Sequence, residues 1–139
     1  MQLKCILSTT HMKGIIILLT IFFAQGSYAQ TMPDAIVGKW LKTPKEDLII
    51  RVYKAGNEYK GKIIKEKEAY KNKTVGFVIL ENLQFDNDKQ TWNGGKIHDP
   101  NSGKTYDAEA KINEDGSLEV NCYKGLKFIG TKKYFKRIK

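Results

Sequence analysis

Few side chains in this sequence are equipped for covalent or acid–base chemistry, and His98 is the only histidine outside the N-terminal segment. Nucleophilic catalysis of the Ser-His-Asp or Cys-His kind needs a base beside its nucleophile. His98 ends an apolar run and opens a turn, and the serines that remain for it are Ser102 and Ser117. That spacing reads as a surface imidazole rather than a general base. Cys122 lies in the alternating stretch "SLEVNCY" on the same side as Leu118 and Val120, so it reads as a buried, inert thiol; a reactive one wants an electropositive, accessible setting. Glu66 and Glu68 share a lysine-rich loop with no apolar surround to raise a carboxylate pKa. No catalytic residue is assigned, and the chain is not expected to be an enzyme.

"HDPNSGKT", His98 to Thr105, ends like a phosphate-binding P-loop. A P-loop needs a glycine five residues before its Gly-Lys-Thr, a buried strand before it and a helix after it. His98 occupies the glycine position, Pro100 stiffens the loop, and the following residues alternate as a strand. Asp99, Pro100, Asn101, Ser102 and Gly103 are instead turn formers that join two strands of a hairpin. A zinc site would need three or four ligands, and one histidine and one cysteine do not supply them. "DNDKQ", Asp86 to Gln90, echoes a calcium loop but lacks its glycine and its distal glutamate, so it too reads as a turn. No metal and no cofactor are expected. Asn72-Lys73-Thr74 fits a glycosylation acceptor.

The elements that position these residues are short. From Asp47 onward, apolar or alternating runs are separated by clusters of turn residues, the pattern of an antiparallel all-β domain. Strands are expected over Ile36–Leu41, Asp47–Lys54, Glu58–Lys65, Val75–Leu80 with Glu81–Asp86 (one bent strand or two), Thr91–Ile97, Lys104–Ile112, Ser117–Lys124 and Phe128–Ile138. Ala55-Gly56-Asn57 makes a tight link, and Gly94-Gly95 marks a bulge or a sharp bend. In "TYDAEAKI", Tyr106, Ala108, Ala110 and Ile112 share one face. About eight strands with hairpin-length links favour one small up-and-down β-barrel, because an open sheet would leave two adhesive edges.

Residues 12–30, "MKGIIILLTIFFAQGSYAQ", have the build of a secretory signal: Lys13, an apolar run from Gly14 to Ala24 too short to span a bilayer, and the small-x-small Ser27-Tyr28-Ala29. Residues 1–29 are therefore expected to be a signal peptide, with Met12 a more typical start than Met1. Residues 30–139, roughly 110, then form a single domain. This predicts a secreted or periplasmic protein with no transmembrane segment after cleavage. Cys5 leaves with the leader, so Cys122 has no partner for an intrachain disulfide.

The chain is basic, with a formal charge of +9 at pH 7, and it stays basic without Lys4 and Lys13. Arg51 and Arg137 are the only arginines, whereas guanidinium forks are the usual readers of bases and phosphates. The dispersed lysines read mostly as a solvated exterior, and nucleic acid is not an expected partner.

"WNGGKIHDPNSGKTYDAEAKI" (Trp92 to Ile112), "LEVNCYKGLKFIGTKKYFKRI" (Leu118 to Ile138), "IVGKW" (Ile36 to Trp40) and "YKGKI" (Tyr59 to Ile63) together resemble the bacterial family DUF2147 over nearly the whole expected domain. The resemblance implies a small exported protein of lipocalin-like fold, with no established activity and hence no catalytic residues to carry over. The chain departs from the family pattern at Cys122, where glycine is usual, and at Tyr134-Phe135, where tryptophan is common. Gly38-Lys39-Trp40 also looks like the glycine-x-tryptophan of lipocalins, whose tryptophan plugs one barrel end.

What remains is binding. Barrels of about eight strands either fill with side chains or hold one small apolar ligand. The expected inward faces carry small residues, Gly61, Ala108, Ala110 and Cys122, so large aromatics cross the middle or space is left open. Trp40, Tyr59, Trp92 and Tyr106, with Ala108 and Ala110, are the candidate lining for a small apolar or amphipathic ligand. The competing expectation is a solid barrel that meets an envelope protein or an anionic surface, through lysines including Lys60, Lys62, Lys65 and Lys67.

Overall fold

The computed structural model describes residues 31–67 and 74–139. The expected signal peptide, Glu68, and Asn72 and Lys73 of the glycosylation motif lie outside the described residues. Eight strands, β1 (Gly38–Thr43), β2 (Leu48–Ala55), β3 (Glu58–Glu66), β4 (Val78–Asp86), β5 (Thr91–His98), β6 (Thr105–Ile112), β7 (Leu118–Tyr123) and β8 (Thr131–Ile138), follow one another around a closed barrel. Each is antiparallel to the one before it, and β8 closes on β1 in a register from Lys39 opposite Ile138 to Thr43 opposite Tyr134. Closure removes every sheet edge, which is how so short an all-β chain satisfies its backbone.

The links obey turn chemistry. Ala55 pairs with Glu58 across Gly56-Asn57, with Gly56 at φ 65° at the first central position, where a two-residue hairpin favours glycine. The Gly-Lys-Thr stretch is a hairpin link: the Asp99 carboxylate accepts from the Asn101 N–H and the Ser102 hydroxyl, each at 2.9 Å, and Gly103 turns at φ 72°. In the Asp86 turn, Oδ1 of Asp86 accepts from the Asp88 and Lys89 N–H groups at 3.0 and 3.1 Å.

Three expected strand starts move by two residues or more. Ile36 belongs to a 3-10 turn over Pro33–Ile36, because Pro33 presets its first residue and the Val37 N–H returns to the Asp34 carbonyl. Val75 lies in a turn with Gly76 at φ 90°, and Phe77 returns its N–H to the Thr74 carbonyl, so β4 starts at Val78. Phe128 sits in a second 3-10 turn, Lys127–Ile129, and β8 begins only at Thr131. β4 is one bent strand: Asn82 has φ 61°, and the β5–β6 register slips between Trp92 and Gly95, where Gly94 has φ 72°.

The barrel interior is packed at the end where β1 starts. Trp40 and Trp92 are fully buried there with Ile36, Leu83, Leu118 and Val120. The small residues exist to admit the large ones. A Cβ on Gly95 would stand 2.5 Å from Leu83 Cδ2, Gly95 lies opposite Ala108, and Trp92 lies opposite Ala110. No helix among the described residues is long and apolar enough to cross a membrane.

Candidate functional site

The two ends of the barrel differ in kind. At the closed end the Pro33–Ile36 turn lies across the opening and is tied down from several strands. Trp40 Nε1 donates to the Ile36 carbonyl at 2.9 Å, and Trp92 Nε1 donates to the Pro33 carbonyl at 3.0 Å. The Tyr59 hydroxyl donates to Asp34 Oδ1 at 2.5 Å. Arg137 stacks its guanidinium 4.2 Å from the Trp40 ring centre and donates to the carbonyls of Val37 and Ala35. Burial first, and the Asp34 hydrogen bond second, push the Tyr59 phenol up to about 12. Asp34 is held below the usual carboxylate range by the same hydroxyl and by Lys54.

At the opposite end the interior opens into a cavity of about 510 Å³. Its walls are the inward residues of the strand ends that the plug does not reach: Leu48 on β2, Ile63 on β3, Ile79 on β4, Ile97 on β5 and Phe135 on β8, with Tyr106 and Cys122 beside them. Its mouth is polar, formed by Lys42, the Lys45–Asp47 turn, the Asp99–Asn101 turn, Thr131 and Lys133. Lys42 follows Trp40, and Lys133 precedes Phe135, at the two-residue spacing that shares a strand face, so both lysine stems enter the barrel.

Charge at the mouth is not evenly committed. Asp99 is held low by the N–H and hydroxyl of its own turn, and Glu66 bonds Thr74. Lys42 Nζ stands 3.9 Å from Asp47 Oδ1, an atom that is buried with no hydrogen-bond partner. Lys45 and Lys133 form no ion pair among the described residues. Cys122 is buried, and desolvation raises its thiol pKa against the opposing effect of Lys133. The thiol is thus a wall atom of the cavity rather than a ready nucleophile.

His98 at the edge of the mouth is engaged on both nitrogens, Nε2 at 2.7 Å from Glu81 Oε1 and Nδ1 at 2.8 Å from Thr105 Oγ1. Neither expected serine serves it: Ser102 donates to Asp99, and Ser117, at the closed end, donates to Asp115. No group of three or more histidine, cysteine, aspartate or glutamate side chains among the described residues stands close enough to hold a metal ion.

Of the six residues singled out from sequence, Tyr106 lines the cavity. Trp40, Tyr59, Trp92, Ala108 and Ala110 are buried together in the packed core beneath the plug. Sequence reasoning missed Leu48, Ile63, Ile79, Ile97 and Phe135 as lining, and it missed the inward lysines. β8 gave no local signal for the latter, because Tyr134 and Ile138 fall on one parity and Phe135 on the other; only the pairing of Phe135 with Leu118 sets Lys133 inward. The four lysines singled out for surface binding spread along the β3 strand and its exit. Lys60 pairs with Glu58 at 3.5 Å, Lys62 lies 5.7 Å from the Tyr53 ring centre, and Lys67 donates to the Lys45 carbonyl.

The chain belongs to the family described as "Uncharacterized protein conserved in bacteria (DUF2147)", whose model matches residues 38–137. Among solved structures it is similar to the Helicobacter pylori protein HP1028, described as belonging to the lipocalin family. The TM-score is 0.62 and the identity 19%, over 75% of this chain and 83% of that one. That likeness is one of fold: a closed, lipocalin-like antiparallel barrel. No curated protein matches the chain.

Proposed function

We propose that this protein is an exported carrier or sensor of a small amphipathic molecule, held in the open end of the barrel with its apolar body among Ile63, Ile79, Ile97 and Phe135 and its polar or acidic head near Lys45 and Lys133. The observation that carries this reading is the cavity itself, of about 510 Å³, apolar in its depth and lysine-bearing at its mouth. The volume lies in the range of pockets that enclose small ligands, roughly 300–1,000 Å³. The lipocalin-like fold supports a binding role, and the leader pattern of residues 12–30 supports export. Binding rather than catalysis is favoured, because the one histidine near the mouth spends both nitrogens on Glu81 and Thr105.

A long-chain fatty acid carrying a polarity-sensitive fluorophore, and the matching alcohol, provide the test. Both should bind saturably with a rise in probe emission. Lys133→Glu should weaken the acid about tenfold, or about 1.4 kcal/mol, relative to the alcohol. Ile97→Trp should block both probes by filling the cavity. Absence of saturable binding of either probe to the unmodified protein, or equal loss of acid and alcohol in Lys133→Glu, would overturn the proposal.

A further inference from the structure

The hairpin of β7 and β8 differs from the rest of the surface in two independent ways. From Val120 to Lys139 there is no acidic residue, while Lys124, Lys127, Lys132, Lys133, Lys136, Arg137 and Lys139 all fall in that stretch; Lys127, Lys132 and Lys136 pair with Glu109, Glu119 and Glu46 from outside it, and Arg137 and Lys139 lie at the plugged end. Over the same stretch the barrel exposes Leu126, Phe128, Ile129 and Tyr134, half of the large hydrophobic side chains exposed among the described residues; Phe128 is 84% exposed and Ile129 69%. The link between the two strands is held in a defined shape. Asn121 Nδ2 donates to the Lys127 carbonyl at 2.9 Å, Lys127 Nζ reaches Glu109 at 3.3 Å, and the 3-10 turn leaves Phe128 and Ile129 standing out beside the open end. Gly130 permits the return: a Cβ there would meet Asn121 Oδ1 at 2.3 Å and the Cys122 carbonyl at 2.8 Å.

Apolar and aromatic tips set among lysines have the composition of a surface that sits at the headgroup level of a bilayer. A protein partner fits less well, because the cores of protein interfaces are depleted in lysine. A second copy would bring like charges together. A nucleic acid would look for arginine, and the only one on the hairpin, Arg137, is committed to the plug. At the plugged end the connections carry Asp34, Asp88, Glu114 and Asp115 against Lys89, whereas the β7–β8 link itself carries Lys124 and Lys127 and no acid, so the link is the part of the two that suits an anionic surface.

We infer that the β7–β8 hairpin docks the protein on an anionic lipid bilayer, with Phe128 and Ile129 entering the interface and Lys124 and Lys127 of the link over the headgroups. Docking there brings the mouth of the cavity, which begins at Thr131 and Lys133 on the same hairpin, close to the lipid surface. The inference rests on the exposed hairpin and holds whether or not the cavity takes a ligand.

Flotation with vesicles of phosphatidylcholine alone, or of phosphatidylcholine with phosphatidylglycerol, tests it. The protein should float with the anionic vesicles and lose most of that binding at high salt. Phe128→Asp with Ile129→Asp should reduce binding at least about tenfold, and Lys124→Glu with Lys127→Glu should remove the preference for phosphatidylglycerol. Met32→Asp, an equally exposed apolar site on the plugged end, should leave binding unchanged. Equal binding to both vesicle types, indifference to the Phe128 and Ile129 changes in a protein of unaltered circular dichroism, or an equal loss in Met32→Asp overturns the inference. So does sedimentation showing that these side chains hold two copies together.

Discussion

Tyr59→Phe separates the plug from the rest of the barrel by a single oxygen. The Tyr59 ring is 3% exposed, and its hydroxyl donates to Asp34 at 2.5 Å, joining β3 to the Pro33–Ile36 turn. At neutral pH, removing that bond should cost about 1 kcal/mol, since Asp34 lies at the surface and regains water. The pH dependence is more diagnostic. Burial and Asp34 raise the phenol from 10.0 to about 12, so the native state holds this proton more tightly than the unfolded chain does. Between those values the unfolded state binds fewer protons, and unfolding free energy falls as pH rises. The contribution is intact below pH 10 and lost on the way to about 12, by an amount on the order of 2–3 kcal/mol. Subtracting the variant from the parent cancels the groups that the two proteins share. Urea unfolding at a series of pH values should show the parent more stable at pH 7 to 9, with the order reversed near the top of the range. A difference that stays flat from pH 9 to pH 11.5 would refute the coupling of Tyr59 to the plug.

Two further outcomes follow from local geometry. Gly38→Ala places a Cβ 2.6 Å from Arg137 Nη1 at a residue whose φ is +147°, and should cost about 1–3 kcal/mol in urea unfolding. Gly116→Ala meets nothing and should cost only the backbone share, roughly 1 kcal/mol; equal losses at the two sites would deny the Arg137 contact. The Cys122 thiol, buried and raised in pKa, should react with iodoacetamide at pH 8 at least about tenfold more slowly in the folded protein than in urea. Occupation of the cavity should slow it further, and fast alkylation of the native protein would place the thiol elsewhere.

The strand order and the inward faces of β6 and β7 were legible because those segments alternate without interruption: Tyr106, Ala108 and Ala110 on one, Leu118, Val120 and Cys122 on the other. β8 was not legible in the same way. Tyr134 and Ile138 fall on one parity and Phe135 on the other, so alternation alone does not choose a face. Pairing of Phe135 with Leu118 across the β7–β8 ladder does choose, and it carries Lys133 inward with Phe135. The small residues correctly signalled spare volume around the barrel axis, yet they could not say what fills it. That depends on contacts between distant strands, Leu83 over Gly95 and Trp92 beside Ala110, which no local pattern encodes. The expected lining and the observed cavity consequently share Tyr106 and little else.

An eight-stranded barrel has an interior just wide enough for side chains to fill, so an opening must be built by withholding bulk from one end. Here both indoles, the plug and Arg137 are spent on the closed end, and the open end receives branched aliphatics and two lysines whose parity turns them inward. That arrangement sacrifices stability locally. Asp47 keeps a buried carboxylate oxygen without a donor, and Lys42 approaches it only to 3.9 Å. A buried acceptor short of a hydrogen bond is costly, and the distant Lys42 charge offsets that cost only in part. Asn121 Oδ1, beside the Lys127–Ile129 turn, is the other buried oxygen without a partner among the described residues, so both such atoms lie toward the open half of the barrel and neither lies in the plug. The same division separates the two properties experimentally: changes in the plug should be read first in unfolding free energy, and changes at Lys133 and Ile97 first in what the barrel holds.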